Sequence, residues 1–350
     1  MIHGGEIYDK RIELDFSVNL NPYPCPEEVI CAIREAVSHI SEYPDINQTV
    51  FRKKVAKAEN TLSAIDYLTS ENVIGGNGAS ELIMAIIRLI NPKKVLLPVP
   101  CFYGYFYGIR ACGDVEIEQF QLSEEKDYVL DEEFLDCIDD STDLIILGNP
   151  NNPTGRLIQN DLLEKIIRRC QETSTALLID ECFLHLSSGT ISAARYLNLC
   201  DKLFIVNAYT KLFSIPGVRV GYAISSPKNI MAFKALLPEW NMSVFAMAAG
   251  EVCADIVATT DFVERSKDFI ASQRSIMESN FASTDLKVFS SDTNFILVNS
   301  PKRLYDFFLE KGILIRDCGN FEGLEPGYYR FAVRDKESYE RMKQCFCFLT

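Results

Sequence analysis

Five short apolar runs in the middle of this 350-residue chain limit what it can fold into. They are Val95 to Pro98, Leu144 to Leu147, Ala176 to Ile179, Leu203 to Val206 and Val220 to Ile224. Segments with helical spacing fill the gaps. One starts at Ala79 and repeats Leu82, Ala85, Ile86 and Leu89; another covers Asp161 to Cys170. A strand that is apolar at every position is buried on both faces. Such strands alternating with helices predict an α/β fold with a largely parallel sheet covered by helices. Ligands of these sheets bind beyond the carboxyl ends of the strands. Asn152, Asp180 and Lys211 all fall at or just past such ends.

The flanks read differently. The first 26 residues look irregular or extended. A helix is expected after Pro26, with Val29, Ile30, Ile33 and Val37 on one face, broken by Glu42-Tyr43-Pro44-Asp45. A second helix is expected over Gln48 to Asn60. From Phe262 to about Phe281 runs a long polar helix. Strand Thr293 to Val298, helix Arg303 to Lys311, strands Ile313 to Arg316 and Tyr328 to Val333, and a helix from Glu337 follow. This pattern predicts a large domain over 46–260 and a smaller α/β domain over 261–350. Residues 1–45 are expected to form an arm that joins the small domain and reaches the substrate site.

The net charge of -14 argues against a nucleic-acid or anionic-membrane partner, either of which needs a basic surface. No stretch approaches the roughly 20 apolar residues of a membrane span. Met1 to Lys10 lacks the apolar core of a signal peptide. The 12 cysteines, scattered from Cys25 to Cys347, form no CxxC pair and have no partners at zinc spacing. Reduced, mostly buried thiols in a cytoplasmic protein without a metal site are the expectation.

The residues at the strand ends carry the chemistry. Lys211 lies in the mostly apolar stretch Ala208 to Tyr222, eight residues before Arg219. Desolvation lowers an amine's pKa, and a neutral amine can attack a carbonyl. The same lysine read alone fits a strand-end side chain that snorkels to water. Asp180 ends a buried strand, where a carboxylate needs a cation or several donors. It suits either a helix cap or a counter-ion for a protonated pyridine. Asn151-Asn152-Pro153-Thr154-Gly155 is a turn whose amides face the strand ends. Gly76-Asn77-Gly78-Ala79-Ser80 opens a helix, where free N–H groups receive phosphate. It is neither a Walker A loop nor a dinucleotide fingerprint.

A phosphate cradle, a carbonyl-reactive lysine and an aspartate for a pyridinium are what pyridoxal 5'-phosphate (PLP) requires. With these residues in this order, nearly the whole chain resembles the class I/II aminotransferase superfamily of fold-type-I PLP enzymes. The resemblance implies a seven-stranded, mostly parallel sheet in the PLP-binding domain. It implies that Lys211 binds the cofactor covalently and shuttles the proton. Asp180 resembles the aspartate on the pyridine nitrogen, Asn152 the asparagine on the ring hydroxyl, and Phe102 the aromatic stacked on the ring. Thr210, Arg219 and the amides of Gly78, Ala79 and Ser80 match phosphate ligands. Tyr43 is similar to a tyrosine that reaches the phosphate of the partner subunit, which implies a homodimer. Two positions depart from the pattern. Ala208 replaces a frequent hydroxyl residue, and Phe183 stands where most members carry a tyrosine bonded to the ring hydroxyl.

Two branches of the superfamily compete. His3-Gly4-Gly5, Asp15 to Pro22, Phe183, Ile313 to Cys318 and Tyr328-Tyr329-Arg330 resemble the branch that decarboxylates L-threonine O-3-phosphate in cobalamin synthesis. The other branch is histidinol-phosphate aminotransferase, with 2-oxoglutarate as acceptor. A PLP-binding module without turnover is a third possibility. By resemblance, Arg330 holds the substrate's α-carboxylate, and Arg316 with His3, Gly4 and Asn19 holds its phosphate. Arg334 is a spare cation nearby. Trp240 is expected in the pocket or in the core, and His185 in packing or a loop. The implied partner is a small phosphorylated amino acid.

Overall fold

The computed structural model describes residues 4–8, 10–189 and 191–346, so His3 lies outside the described residues. The apolar runs form the centre of a seven-stranded sheet. Its strands are β1 (Val73–Gly76), β2 (Lys94–Val99), β3 (Glu116–Gln121), β4 (Leu144–Gly148), β5 (Ala176–Asp180), β6 (Leu203–Asn207) and β7 (Gly221–Ile224). Their spatial order is β1-β7-β6-β5-β4-β2-β3. Only β7 is antiparallel to its neighbours; the remaining pairs are parallel. Along each central strand the side chains alternate between two cores. Ile145, Leu147, Leu177, Ile179, Leu203 and Ile205 enter one, and Ile146, Leu178, Phe204 and Val206 the other. Successive strand residues point to opposite faces, so two buried faces demand an unbroken apolar run.

Helices α1 (Glu27–Glu35), α2 (Thr49–Ser63), α3 (Ala79–Ile90), α4 (Tyr103–Arg110), α5 (Asn160–Glu172), α6 (Pro227–Lys234) and α7 (Val244–Thr259) accompany this sheet. The stripe Leu162, Leu163, Ile166, Ile167 and Cys170 of α5 packs into the first core; Leu82, Ile83, Ile86 and Ile87 of α3 pack into the second. One expected stripe breaks. The α-helix after Pro26 stops at Glu35 and a 3-10 turn covers Ala36–His39. Three residues per turn rotate later side chains off the 3.6-residue stripe. Val29 is buried, whereas Val37 is 54% exposed.

Beyond α8 (Phe262–Phe281) a four-stranded antiparallel sheet forms from β8 (Lys287–Val288), β9 (Phe295–Asn299), β10 (Arg316–Asp317) and β11 (Tyr328–Ala332), with α9 (Leu304–Glu310) and α10 (Lys336–Phe346). The run Ile313 to Arg316, expected as one strand, is divided. Ile313–Leu314 pairs in parallel with Leu14–Asp15, while Arg316 begins β10. Phe16 then enters a third core with Met277, Phe281, Ile296, Phe331 and Tyr339. Val29, further along, belongs to the first core.

The topology gathers the chemistry at one edge. The chain leaves β2 outward to β3 and returns to β4 on the other side, which opens a crevice between β2 and β4. Phe102 follows β2 and Asn152 follows β4. Because β7 runs backwards, its start at Gly221 lies opposite the end of β1 at Gly76. The cradle and Arg219 therefore share an edge with Asp180 and Lys211.

Candidate active site

A cleft of ≈ 260 Å³ opens at this edge, lined among others by Asp180, Lys211, Asn152, Phe102, Arg316 and Arg330. Lys211 sits in the single helical turn Tyr209–Leu212 after β6. The arm secures that turn. Asn21 N–H donates to the Lys211 carbonyl (3.0 Å), and Asn21 Nδ2 donates to the Leu212 carbonyl (2.8 Å) and to Ser266 Oγ (2.9 Å). Burial pushes the Lys211 amine down to about 8, with the Arg330 and Arg219 charges adding to the effect and Cys182 and Asp180 opposing it. The neutral amine is the nucleophile. Capture of PLP by the apoprotein is therefore expected to accelerate through a midpoint near pH 8, where an ordinary lysine would still be charged. Stopped-flow absorbance across pH checks this; a midpoint near the usual lysine value would contradict it.

Asp180 ends β5 with both oxygens engaged. Oδ1 accepts the Cys182 N–H (3.0 Å) and Oδ2 the Tyr105 hydroxyl (2.9 Å). At the other end, Gly78 caps α3 with φ +81°. A Cβ there would lie 2.5 Å from Arg219 Nη2, so only glycine lets the guanidinium close over the helix N-terminus. Ala79, Ser80, Thr210 and Arg219 line the cleft at this end. Thr210 Oγ1 donates to the Val220 carbonyl (3.2 Å). Ala208, also lining the cleft, adds no donor.

Two buried arginines of the cleft come from neighbouring strands. Arg316 and Arg330 are direct cross-strand partners and so project from one face of the small sheet. Both are buried. Arg330 Nη1 donates to Asn152 Oδ1 and Nη2 to the Ser17 carbonyl (2.8 Å), while Nε has no partner. Its guanidinium stacks on Phe295 at 5.3 Å. Burial pushes Arg330 down to about 10. Arg316 donates to the Asp317 carbonyl and, through Nη2, to Asn320 Oδ1 (2.8 Å), and stacks on Phe321 at 4.9 Å. The arm completes the wall with Gly4, Ser17 and Asn19. Asn19 is buried with an unpartnered Oδ1.

Two aromatic residues lie away from this chain's cleft. Tyr43 is 80% exposed and packs on Trp240 at 4.7 Å. Trp240 itself is 42% exposed, neither in the cleft nor in the core, because it belongs to a surface turn at positive φ. Arg334 is no spare cation for the cleft, since it donates to the Asp15 carbonyl. His185 is buried, with Nε2 3.2 Å from Glu59 Oε1. Sequence reasoning missed Tyr105, Cys182, Asn21 and Phe321. The spacing of Phe102 and Tyr105 at a helix start was the available signal for the first of these.

The donor set fits PLP. A glycine-tight helix N-terminus with Arg219 suits a phosphate, a desolvated lysine suits the aldehyde, and Asp180 suits a ring nitrogen. The sequence profile described as aminotransferase class I and II matches residues 11–344. The chain belongs to this family. It is a PLP-dependent enzyme. A relative from Caldanaerobacter subterraneus subsp. tengcongensis, provisionally named a threonine-phosphate decarboxylase, is 32% identical over 96% of this chain and 90% of its own length. An adenosylcobalamin biosynthesis bifunctional protein of Leptospira interrogans is 30% identical over 98% of this chain, which spans 40% of that protein. The crystal structure of the histidinol-phosphate aminotransferase from Clostridium acetobutylicum superposes with a TM-score of 0.84 at 29% identity, covering 95% of this chain and 97% of that one. Among the described residues no His, Cys, Asp or Glu group of metal-binding type occurs, and no helix is long and apolar enough to cross a membrane.

Proposed function

We propose that this enzyme decarboxylates L-threonine O-3-phosphate to (R)-1-amino-2-propanol O-2-phosphate, a step of cobalamin synthesis. The observation that carries the reading is the pair of buried arginines set directly opposite each other on one sheet face. Two guanidiniums this close repel unless anions lie between them. A substrate with a carboxylate at one end and a phosphate at the other supplies two. The names of the Caldanaerobacter and Leptospira relatives support the same choice.

When bound, PLP supplies a protonated ring that draws in the electron pair of whichever substrate bond stands perpendicular to it. The chain's residues decide which bond that is. Arg330 grips the α-carboxylate and Arg316, with Gly4, Asn19 and His3, grips the phosphate. Holding both anions, the two arginines would fix how the carboxylate is presented for cleavage. Asp180 keeps the ring nitrogen protonated, Asn152 donates to the ring hydroxyl, and Phe102 stacks on the ring. Thr210, Arg219 and the amides of Gly78, Ala79 and Ser80 hold the cofactor's phosphate. Lys211 returns the proton to the substrate carbon.

The test is CO2 release from L-threonine O-3-phosphate over many turnovers without a keto acid. Sustained release supports the proposal. Glutamate formed from histidinol phosphate and 2-oxoglutarate, with no CO2, would establish the second reading, which the Clostridium structure favours.

The proposed assembly is a homodimer in which Tyr43 reaches the partner's cofactor phosphate. Val37, Ile40, Tyr43 and Trp240 are large apolar side chains that stay exposed on this chain, and burial of such side chains favours association. Sedimentation should give twice the chain mass, and Tyr43→Ala should weaken PLP binding several-fold. A monomer with full PLP affinity would overturn this arrangement. The division proposed for the chain is an arm over 1–45, a PLP domain over 46–260 and a small domain over 261–350. The pairing of Leu14–Asp15 with Ile313–Leu314 supports the arm's attachment.

A further inference from the structure

The carboxylate assigned to the ring nitrogen is already bonded before any ligand enters. Tyr105, on the first turn of α4, donates its hydroxyl to Asp180 Oδ2 at 2.9 Å, and the Cys182 amide donates to Oδ1 at 3.0 Å. Tyr105 is 2% exposed, so water does not compete for this bond. Its ring meets Phe102 edge to face at 5.5 Å. Gly148 leaves room for the hydroxyl: a Cβ there would sit 3.3 Å from the oxygen. Burial first, and the Asp180 charge second, hold the phenol far above its ordinary titration range. It therefore stays a donor at every working pH.

A hydrogen bond to a carboxylate stabilises its charged form and lowers its basicity. The positive end of the O–H dipole also offsets part of the negative potential of Asp180. We propose that Tyr105 is a positioning residue that acts through Asp180: its hydroxyl fixes the carboxylate and reduces the negative potential that Asp180 applies to the ring nitrogen and to Lys211. The inference rests on Asp180 facing the ring nitrogen, as argued above. Phe183 makes the device consequential. The tyrosine usual at that position would donate to the ring hydroxyl; here the phenol stands at the opposite end of the ring, behind the aspartate. The charged and titratable groups facing this corner are Asp180, Cys182 and Cys101 around Tyr105, with Arg330 and Arg219 around Lys211.

The experiment titrates the visible absorbance of the PLP-loaded enzyme with pH, for the natural protein, Tyr105→Phe, and the protein with 3-fluorotyrosine at position 105. Removing the donor leaves the site more negative, so the cation at the cofactor–lysine bond is favoured. The midpoint should rise by roughly half to one unit in Tyr105→Phe. The fluorinated ring keeps the shape and is a stronger donor, so its midpoint should fall. Opposite shifts are not expected of a residue that only packs. An unchanged midpoint in Tyr105→Phe, or shifts of the same sign in both proteins, overturns the inference. Asp180→Asn separates the two levels. If it leaves the titration untouched, the placement of Asp180 at the ring fails; if it shifts the midpoint while Tyr105→Phe does not, only the role of Tyr105 fails.

Discussion

Lys211→Ala should reduce turnover by about four to six orders of magnitude, the loss seen when a covalent nucleophile is removed from a site whose other parts remain. The protein should still bind PLP, since Ala79, Ser80, Thr210 and Arg219 also line the cleft and are untouched by the substitution. Its absorbance should be that of free aldehyde, and small added amines should restore part of the activity. Stability should move the other way. The folded amine titrates near 8, below the unfolded value of 10.5, so the fold disfavours its charge. Replacing it by methionine, which keeps the stem, should raise the melting temperature of the apoprotein below pH 8. The gain should fade between pH 8 and 10.5, where the unfolded lysine also loses its proton. Calorimetry at pH 7 and pH 10.5 checks the sign. Residual turnover above about one per cent would remove Lys211 from the chemistry.

Lys211 and Asp180 were legible because burial on both faces leaves a strand no polar residue until its end. A lysine or aspartate there is conspicuous, and the sheet topology brings such ends together. The same logic hides the outer strands. β3 reads Glu-Ile-Glu-Gln-Phe-Gln, since an edge strand is partly solvated. β1 is half glycine, because a Cβ at Gly75 would strike Met242 and Phe51 and one at Gly76 would strike Leu82. Tyr105 was overlooked for another reason, although its spacing from Phe102 was a signal. A tyrosine one turn into an aromatic-rich helix, Tyr-Gly-Tyr-Phe-Tyr, reads as core packing, and only the approach of β5 turns its hydroxyl into a partner of Asp180. Asn21 is similar: its bond to the Leu212 carbonyl spans 191 residues of sequence. Periodicity carries local structure well and long-range polar pairing poorly. The Val37 stripe failed because a change from α to 3-10 geometry costs little and leaves no composition signal.

Arg330→Gln should lower kcat/KM by about two to three orders of magnitude for any amino-acid substrate. Truncating one member of a buried charge-assisted pair costs about 2–5 kcal/mol, and glutamine loses both the charge and the fork that grips a carboxylate. Arg316→Gln should behave differently. Its loss should fall on L-threonine O-3-phosphate and spare unphosphorylated L-threonine, because only the former presents a second anion. An equal loss on both substrates in Arg316→Gln would mean that the two arginines share one anion. A second readout separates binding from charge. After burial, Arg330 is the largest influence holding the Lys211 amine down, so Arg330→Gln should raise the midpoint of PLP capture above about 8. Asn152 links the effects further, because its Oδ1 accepts from Arg330. With that bond gone, Asn152 can turn, and the ring hydroxyl loses a fixed donor at the position where Phe183 offers none. The substitution thus acts on substrate grip, lysine basicity and ring orientation together. Its double mutant with Arg316→Gln should not equal the two single losses added, since the repulsion between guanidiniums paired across β10 and β11 can be relieved only once.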